Sequence, residues 1–430
     1  MDVELLSKQN SWWKNREEIK KDEKVLQALS RKHKLIQRFE KGNFLIIGPR
    51  QVGKTTFLKL MILDLLKNTA SSNILYFSCE PLSKKEDIFE LVGLFDRLGR
   101  GEKFLFLDEI TFVRDWEAAV KFLLDSGMKN LYITGSTSAT LKKERFPGRE
   151  INFREFLPLN FREFCLLFGS GELKNTLKDA KARIEEVFDK SFKLLPFIDE
   201  LQELFERYIV CGGFPLSAFQ LMENGGIKEE TYETYVNWIL GDISKLDRSE
   251  RIFKSVVQGV IKNYGSRFSL NSVAKEMEIG SHVTVREYLE FLEKCFLLRN
   301  YFKFDLSRNL PVYRAERKVY FIDPFLFRVF SRYAFGASDV SAEKKPSLVE
   351  GIVGEYLKRN RETFFFHGRK EVDFIVNNTG IEVKYGKVDK KDFPKIDLKN
   401  KILLSKNQWK DFDDVKAIPI PVFISCSIVF

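Results

Sequence analysis

Short apolar runs alternate with helix-length segments in the first third of the chain. The runs are NFLIIG (43–48), NILYFSCE (73–80), KFLFLDEI (103–110) and NLYITGS (130–136). Continuous apolar runs of this length are typical of strands that are buried on both faces. Four such strands separated by helical patterns predict an α/β fold with a parallel, doubly wound sheet.

The segments on either side of this alternating region differ in pattern. Residues 1 to about 42 predict a charged helix, with roughly helical spacing of Val25, Leu26, Leu29, Leu35, Ile36 and Phe39. The stretch FPGREINFREFLPLNFREF (146–164) brings Pro, Gly and repeated Arg, so we expect the sheet to end before it. We therefore predict a core domain over residues 1–160 and a helical extension over 161–250.

Residues 251–336 have the spacing of a winged helix-turn-helix. SLNSVAKEME predicts the first helix, IGS the turn, HVTVREYLEFLEKC the recognition helix and FLLRNYFKF the start of the wing. On the recognition helix we expect exposed side chains at His282, Thr284, Arg286 and Glu287, and inward packing of Val283, Val285, Tyr288, Leu289 and Leu292. One Arg and one His are few for reading bases, so contact with DNA, contact with a protein and closure over a ligand all stay open.

A polar linker, GASDVSAEKKPS (336–347), precedes a last unit of one helix and several strands over residues 347–430. The length of 430 residues suits two to four domains. The 71 basic and 61 acidic residues are interleaved, so the net charge of +10 favours nucleic acid only weakly. Five dispersed cysteines without a CxxC spacing predict neither disulfides nor zinc. The N-terminus turns polar too early for a signal peptide, and no run reaches the 18 apolar residues of a membrane helix, so we expect a cytoplasmic protein.

The first apolar run leads into a phosphate-binding pattern. GPRQVGKT fills every constrained position of GxxxxGK[ST] between a strand and a helix. Gly48 and Gly53 let backbone N–H groups converge on phosphates at a helix N-terminus. Lys54 would reach the β and γ phosphates, and Thr55 would hold Mg²⁺. The predicted ATP-binding residues are Gly48, Pro49, Arg50, Gln51, Val52, Gly53, Lys54, Thr55 and Thr56.

Polar residues at the ends of the next strands complete the pattern. Asp108 ends a buried strand and would lie beside the Mg²⁺ shell, and Glu109 would polarise the attacking water. Ser136 or Thr137 would contact the γ phosphate, although a helix cap explains them equally well.

An arginine finger from a neighbouring subunit contributes about 10³ to 10⁵ in rate in related chemistry. Arg149, in the glycine turn FPGRE, is the first candidate, which would require a homo-oligomer. Arg145 and Arg154 compete for this role, and the alternative is that Arg149 is a surface residue without a catalytic role.

Carboxylates recur near the end of the chain. EVDFIV places Asp373 on a strand, and IEVKY places Glu382 and Lys384 on one face of the next strand, because side chains two residues apart project together. Two carboxylates can hold a hard divalent ion, Mg²⁺ or Mn²⁺, with the lysine orienting water. Glu350 or Glu355 on the preceding helix would add a third carboxylate, whereas His367 is incidental.

The order of these motifs resembles one known family. GPRQVGKTT, LFLDEI, YITGSTS, PGR, PLNFREF, CGGFP and EVDFIV…IEVKY occur as in archaeal and bacterial AAA+ type ATPases that end in a PD-(D/E)xK nuclease-like domain. The resemblance implies a P-loop ATPase core, a winged helix and a C-terminal restriction-endonuclease-like α/β domain. It carries the metal motif to Asp373, Glu382 and Lys384, with Glu350 as the helix glutamate, although Val372 stands where the family has Pro.

Two functions follow as expectations. The first is an ATP-hydrolysing switch that couples its nucleotide state to DNA binding and metal-dependent DNA cleavage. The second is an ATPase scaffold whose C-terminal domain only binds DNA or a protein partner.

Overall fold

The computed structural model describes residues 3–31, 40–136, 146–245, 248–336 and 343–429. The chain forms two compact units, the first of residues 1–157 with 294–296 and the second of residues 158–293 with 297–430. No helix among the described residues is both long enough and apolar enough to cross a membrane.

The first unit is an α/β layer structure. Its helices are α1 (Val3–Gln9), α2 (Glu23–Ser30), α3 (Lys54–Leu65), α4 (Lys85–Asp96) and α5 (Trp116–Asp125). Its strands are β1 (Phe44–Ile47), β2 (Ile74–Ser78), β3 (Phe104–Asp108), β4 (Leu131–Gly135) and β5 (Asn152–Glu155). All five strands are parallel in the order β2-β3-β4-β1-β5, which confirms the predicted parallel core.

The expected end of this sheet before residue 146 is wrong. β5 pairs with β1 along its whole length, from Phe44 opposite Asn152 to Ile47 opposite Glu155. The sequence NFRE shows no apolar run because β5 lies at the sheet edge, where its residues are exposed or half-buried. Polar and charged residues are common on such strands because they discourage pairing with another chain.

The N-terminal segment covers the opposite edge of the sheet with side chains. The amide of Asn10 donates to the carbonyl of Tyr76 (2.9 Å) and accepts from its N–H (2.8 Å). Trp12 and Trp13 both donate through Nε1 to the carbonyl of Ile74, at 3.2 and 2.9 Å. These bonds satisfy backbone groups of β2 that would otherwise be open to another strand.

The predicted N-terminal helix is broken rather than continuous. α1 and α2 are separated by short 3₁₀ turns, and Asp22 caps α2 by accepting from the N–H groups of Lys24 and Val25. Val25 is buried, but Leu26 and Leu29 are 52% and 43% exposed. The predicted positions Leu35, Ile36 and Phe39 lie outside the described residues.

The second unit holds the remaining elements. Its helices are α6 (Phe161–Phe168), α7 (Gly171–Asp179), α8 (Val187–Lys190), α9 (Ile198–Cys211), α10 (Pro215–Asn224), α11 (Glu229–Lys245), α12 (Glu250–Lys262), α13 (Leu270–Glu276), α14 (His282–Lys294), α15 (Pro324–Phe335), α16 (Lys345–Lys358) and α17 (Ile420–Ser425). Its strands are β6 (Lys181–Arg183), β7 (Leu298–Asp305), β8 (Leu310–Phe321), β9 (Phe364–His367), β10 (Glu371–Val376), β11 (Thr379–Lys384), β12 (Asn400–Ser405), β13 (Lys410–Asp411), β14 (Lys416–Pro419) and β15 (Ser427–Val429).

The motif CGGFP makes a tight turn around a buried carboxylate. Asp323 accepts from the N–H of Gly213 (2.7 Å) and, as the cap of α15, from that of Phe325 (2.9 Å). Gly212 has φ +62°, and a Cβ there would lie 1.8 Å from Asp323 Oδ1. Burial raises the pKa of Asp323 to about 7, although both N–H groups oppose this shift.

Helices α13 and α14 and the hairpin β7-β8 follow one another along the chain, and their assignment as a winged helix stays a prediction. His282, Arg286 and Glu287 on α14 are exposed and Thr284 is half-buried. Val283, which we expected to pack inward, is 42% exposed because it lies in the first turn, ahead of the buried residues.

The hairpin β7-β8 belongs to a larger sheet. The strand order β13-β14-β12-β11-β10-β9-β7-β8 joins it to the C-terminal strands, through the pairing of Lys303 on β7 with Phe365 on β9. A residue on β8 can therefore share one sheet with Asp373 on β10 and Glu382 on β11.

Candidate functional site

The phosphate-binding loop lies between β1 and α3. Its turns use positive φ at Gln51 (+60°) and Gly53 (+97°), and the helix begins at Lys54. A Cβ on Gly48 would lie 1.9 Å from the carbonyl oxygen of Phe156, so only glycine fits the close approach of these two backbone segments. The loop thus directs the N-terminus of α3 towards the end of the sheet, where anions bind favourably.

Lys54 is buried within this loop. Its Nζ donates to the carbonyl oxygens of Gly48 (3.0 Å) and Pro49 (2.9 Å) and lies 3.5 Å from Oε1 of Glu109. Burial lowers the pKa of Lys54, while the carboxylates of Glu109 and Asp108 oppose the change. The ammonium group therefore lies between the loop and the carboxylate that follows β3.

Asp108 is fixed by hydroxyl groups from three elements. Its Oδ2 accepts from Thr55 Oγ1 (2.7 Å) and from the Tyr76 hydroxyl (2.8 Å). Its Oδ1 accepts from Thr134 Oγ1 on β4. Burial, followed by the charge of Asp108, raises the pKa of Tyr76, so the phenol stays protonated and remains a donor. The carboxylate is thereby held in one orientation.

Glu109 follows Asp108 in a left-handed backbone conformation, with φ +53°. This conformation is uncommon outside glycine. The backbone N–H of Glu109 donates to Thr134 Oγ1 (2.8 Å), so one hydroxyl anchors both acidic residues. Its Oε2 is buried and has no hydrogen-bond partner among the described residues. Oε2 is thus an acceptor without a proton donor, at the end of the sheet that carries the loop.

The site fits the predicted Mg²⁺ ion. Thr55 and Asp108 bring a hydroxyl and a carboxylate oxygen within 2.7 Å of one another beside the loop. Oxygen ligands of this kind are those that Mg²⁺ prefers in phosphate-binding sites.

The remaining nucleotide-site candidates are two hydroxyl residues and three arginines. Ser136 is buried, and Thr137 and Arg145 lie outside the described residues. Arg149 makes a two-pronged ion pair with Asp125, with Nε and Nη2 each 2.8 Å from a carboxylate oxygen. Arg154 pairs with Glu40 at 2.7 Å. The finger role of each arginine therefore stays a prediction.

The C-terminal candidates come together on the large sheet. Asp373 Oδ2 accepts from the N–H of Val383 (2.9 Å), and Glu382 Oε2 lies 3.3 Å from the N–H of Asp373. Lys384 Nζ lies 2.8 Å from Glu382 Oε1, so the two side chains share one face as expected. Burial and the charge of Asp373 raise the pKa of Glu382 to about 7.

A further lysine enters this group from β8. Lys318 is 1% exposed, and its Nζ lies 2.7 Å from Glu350 Oε1, 2.6 Å from Glu371 Oε1 and 3.0 Å from Asp373 Oδ1. We call Glu350, Glu371, Asp373 and Glu382, with Lys318 and Lys384, the carboxylate cluster. Glu355 lies elsewhere, between Arg299 and Arg359, so Glu350 is the helix glutamate that reaches Asp373's surroundings.

The charged groups of the cluster shift one another's pKa values in different directions. Burial would lower the pKa of Lys318, but the surrounding carboxylates, Glu350 first, outweigh it and raise that pKa. Burial also raises the pKa of Glu350, with Asp373 adding to the effect. At Asp373 burial acts in the same direction, but Lys318, the N–H of Val383 and Lys384 together outweigh it and lower the pKa.

The cluster does not fit the predicted divalent ion at Glu350, Asp373 and Glu382. An ammonium group lies between Glu350 and Asp373, where an ion bridging them would lie. The described residues contain no group of three or more His, Cys, Asp or Glu side chains that could hold a metal. The ammonium group of Lys318 therefore takes the place that a catalytic ion would need.

Motif reading missed Tyr76, Thr134 and Lys318. Tyr76 and Thr134 reach Asp108 from the strands on either side of β3, 32 and 26 residues away in sequence. Lys318 on β8 reaches Asp373 on β10, 55 residues away in sequence. A polar residue inside a buried strand, such as Thr134 in LYITG or Lys318 in RKVYF, is the signal that could have found them.

Comparison with known proteins supports the ATPase reading of the first unit. Residues 40–165 match a family described as an AAA domain, and residues 202–334 match one described as a domain of unknown function. An uncharacterised protein of Methanocaldococcus jannaschii is 28% identical over 364 residues, covering 79% of this chain and 74% of its own length. An uncharacterised protein of Haemophilus influenzae is 27% identical over 384 residues, covering 84% and 86%.

Two solved structures are also similar. The Walker-type ATPase of Pyrococcus abyssi has 15% identity and a TM-score of 0.41, covering 74% of this chain and 95% of that one. The ORC1 protein of Aeropyrum pernix, solved with DNA, has 12% identity and a TM-score of 0.31, covering 75% and 93%. The phosphate-binding loop lies within residues 40–165, the part of the chain that matches the AAA domain family.

Proposed function

We propose that this protein is an ATP-hydrolysing switch whose nucleotide state controls binding of DNA by the second unit. The observation that carries the hydrolytic part is the fixed orientation of Asp108 by Thr55, Tyr76 and Thr134, beside the pair of Lys54 and Glu109. Fixing a carboxylate before substrate arrives avoids reorganisation during the reaction.

Each residue has a stated role in this proposal. Lys54 exchanges its carbonyl partners, Gly48 and Pro49, for the β and γ phosphates of ATP. Thr55 and Asp108 hold Mg²⁺, which neutralises charge on the phosphates when bound. Glu109 orients the attacking water through Oε2 and accepts its proton. Arg149 of a neighbouring subunit is the proposed finger.

Thr134 is the residue that links the parts of this site. Because it donates to Asp108 and accepts from the N–H of Glu109, its hydroxyl couples the metal carboxylate to the base. We assign Thr134 the role of positioning these two residues, and contact with the γ phosphate stays a prediction for Ser136 or Thr137.

The nucleotide part is tested by phosphate release from ATP. Lys54→Ala should lose turnover, whereas the matched control Lys67→Ala removes an exposed lysine that only pairs with Asp64 and should keep it. Unchanged turnover in Lys54→Ala would contradict the assignment of the loop.

The DNA part rests on the surface of α14 and the hairpin β7-β8. His282 and Arg286 are exposed on α14, and Leu310 and Tyr313 near the hairpin tip are 61% and 60% exposed. Basic side chains beside an exposed aromatic ring suit phosphate contact and packing against sugar or bases. Cleavage is not part of the proposal, because Lys318 lies where a catalytic ion would be needed.

A second candidate function is a scaffold that binds a protein partner through the same surface. The exposed apolar side chains of Val283, Leu310 and Tyr313 favour it, because such residues are common in protein interfaces.

Fluorescence anisotropy of a labelled DNA duplex, with ATP, with ADP and without nucleotide, separates these functions. If DNA binds α14, Arg286→Ala should weaken binding and reduce the salt dependence by about one counterion, whereas the neighbouring Glu287→Gln should not weaken it. Absence of DNA binding in all three states, or equal binding by Arg286→Ala and wild type, would favour the protein partner.

A further inference from the structure

Lys318 makes three close charged contacts inside the carboxylate cluster. Its Nζ donates to Glu350 Oε1 (2.7 Å) and to Asp373 Oδ1 (3.0 Å), and it forms an ion pair with Glu371 Oε1 at 2.6 Å. Hydrogen bonds between charged groups are stronger than those between neutral groups. The lysine is therefore a built part of the cluster.

Both oxygens of Asp373 and of Glu382, and one oxygen of Glu350, are already engaged. Asp373 gives Oδ1 to Lys318 and Oδ2 to the N–H of Val383. Glu382 gives Oε1 to Lys384 and Oε2 to the N–H of Asp373. Glu350 Oε1 accepts from both Lys318 and the hydroxyl of Tyr320.

The charge of the cluster agrees with a lysine in the place of a metal. Two ammonium groups, Lys318 and Lys384, face four carboxylates, and Arg267 adds a third cation 3.2 Å from Glu371 Oε2. Removing Lys318 would leave buried carboxylates unpaired, which is strongly unfavourable. A divalent cation could restore the balance, because carboxylate oxygens are its preferred ligands.

We infer that Lys318 is the resident cation of the carboxylate cluster, and that its ammonium group keeps Mg²⁺ and Mn²⁺ out of the C-terminal sheet. The second unit then binds its partner without a metal, and replacing Lys318 by an uncharged residue of similar length opens the site to a divalent ion. This inference is independent of ATP hydrolysis, since every group in it belongs to the second unit.

Mn²⁺ binding to the full chain without nucleotide, followed by electron paramagnetic resonance of the free ion, tests the inference. Lys318→Met should bind one more Mn²⁺ per chain than wild type, and the added Glu382→Gln substitution should weaken that extra binding. Lys391→Met, at an exposed lysine, is the matched control and should bind as wild type does. Any binding by the nucleotide loop is the same in all four proteins and cancels.

Two results would overturn the inference. One is a folded Lys318→Met that binds no additional Mn²⁺. The other is a wild type that already binds one more Mn²⁺ than Glu382→Gln, and this comparison remains decisive if Lys318→Met does not fold. Thermal unfolding gives a supporting readout, because Mn²⁺ should raise the Tm of Lys318→Met by more than it raises the Tm of the wild type.

Discussion

Replacing Thr134 by Val tests the coupling between Asp108 and Glu109. Valine has nearly the same shape as threonine but has no hydroxyl, so the packing of β4 between β1 and β3 is kept. The substitution removes the bond to Asp108 Oδ1 and the acceptor, 2.8 Å away, of the Glu109 N–H. Glu109 then loses the contact that holds its left-handed backbone.

The size of the effect follows from these two bonds. A hydrogen bond to a charged group contributes about 1.5–3 kcal/mol, and a buried donor left without a partner costs about 1–3 kcal/mol. Because Thr55 and Tyr76 still hold Asp108, we expect the free energy of unfolding to fall by about 2–4 kcal/mol. If about 1.4–2.8 kcal/mol of this lost stabilisation also raises the barrier to ATP hydrolysis, kcat falls about 10- to 100-fold.

The assay is steady-state phosphate release beside equilibrium binding of a fluorescent ATP analogue. ATP binding should change little, because Lys54 and the loop are untouched. Thr134→Ser keeps the hydroxyl and should retain most of kcat, and Ser136→Ala tests the alternative residue on the same strand end. A folded Thr134→Val with kcat within about twofold of wild type, well short of the predicted loss, would refute the positioning role.

Three further outcomes are expected. Lys54→Ala should lose ATP binding or turnover, with an unchanged circular dichroism spectrum and Tm. Turnover at the wild-type rate would show that Lys54 has no role in the site. Arg149→Ala should bind ATP yet hydrolyse it poorly, whereas Asp125→Asn, which only frees Arg149 from its ion pair, should still hydrolyse; normal hydrolysis by Arg149→Ala excludes it as the finger. The pKa of Asp323 rises from 3.8 to about 7 on folding, because its side chain is buried. Its protonation therefore stabilises the folded state fully below pH 3.8, and this stabilisation is lost as the pH rises through about 7. Urea unfolding across that range should show a steeper fall in stability for wild type than for Asp323→Asn, and parallel profiles would assign the pH dependence to other groups.

The sequence predicted those elements whose pattern is set locally. β1 to β4 are buried on both faces and can be recognised as apolar runs. β5 lies at an edge, and its sequence NFRE contains no apolar run. Val283 shows a similar limit, since helical spacing does not tell that the first turn of α14 extends beyond the packed surface.

The site residues likewise divide into those of a contiguous motif, which the sequence predicts, and those brought together by strand pairing, which it does not. The loop from Gly48 to Thr56 is a contiguous motif whose backbone geometry requires particular residues, so it can be read directly. Tyr76 and Thr134 acquire their roles from the register of β2, β3 and β4, which no local pattern specifies. Lys318 depends on a pairing between the hairpin and the C-terminal strands, and this pairing turns a set of apparent metal ligands into a buried ion-pair cluster.

Phosphate release from ATP, with Mg²⁺ and with EDTA, is the most direct test of the central claim that Asp108 and Glu109 form a hydrolytic site with the loop. Wild type should release phosphate only with Mg²⁺, and Glu109→Gln should bind ATP with Mg²⁺ but release almost none. Release that persists in EDTA, or equal release by Glu109→Gln and wild type, would contradict this assignment.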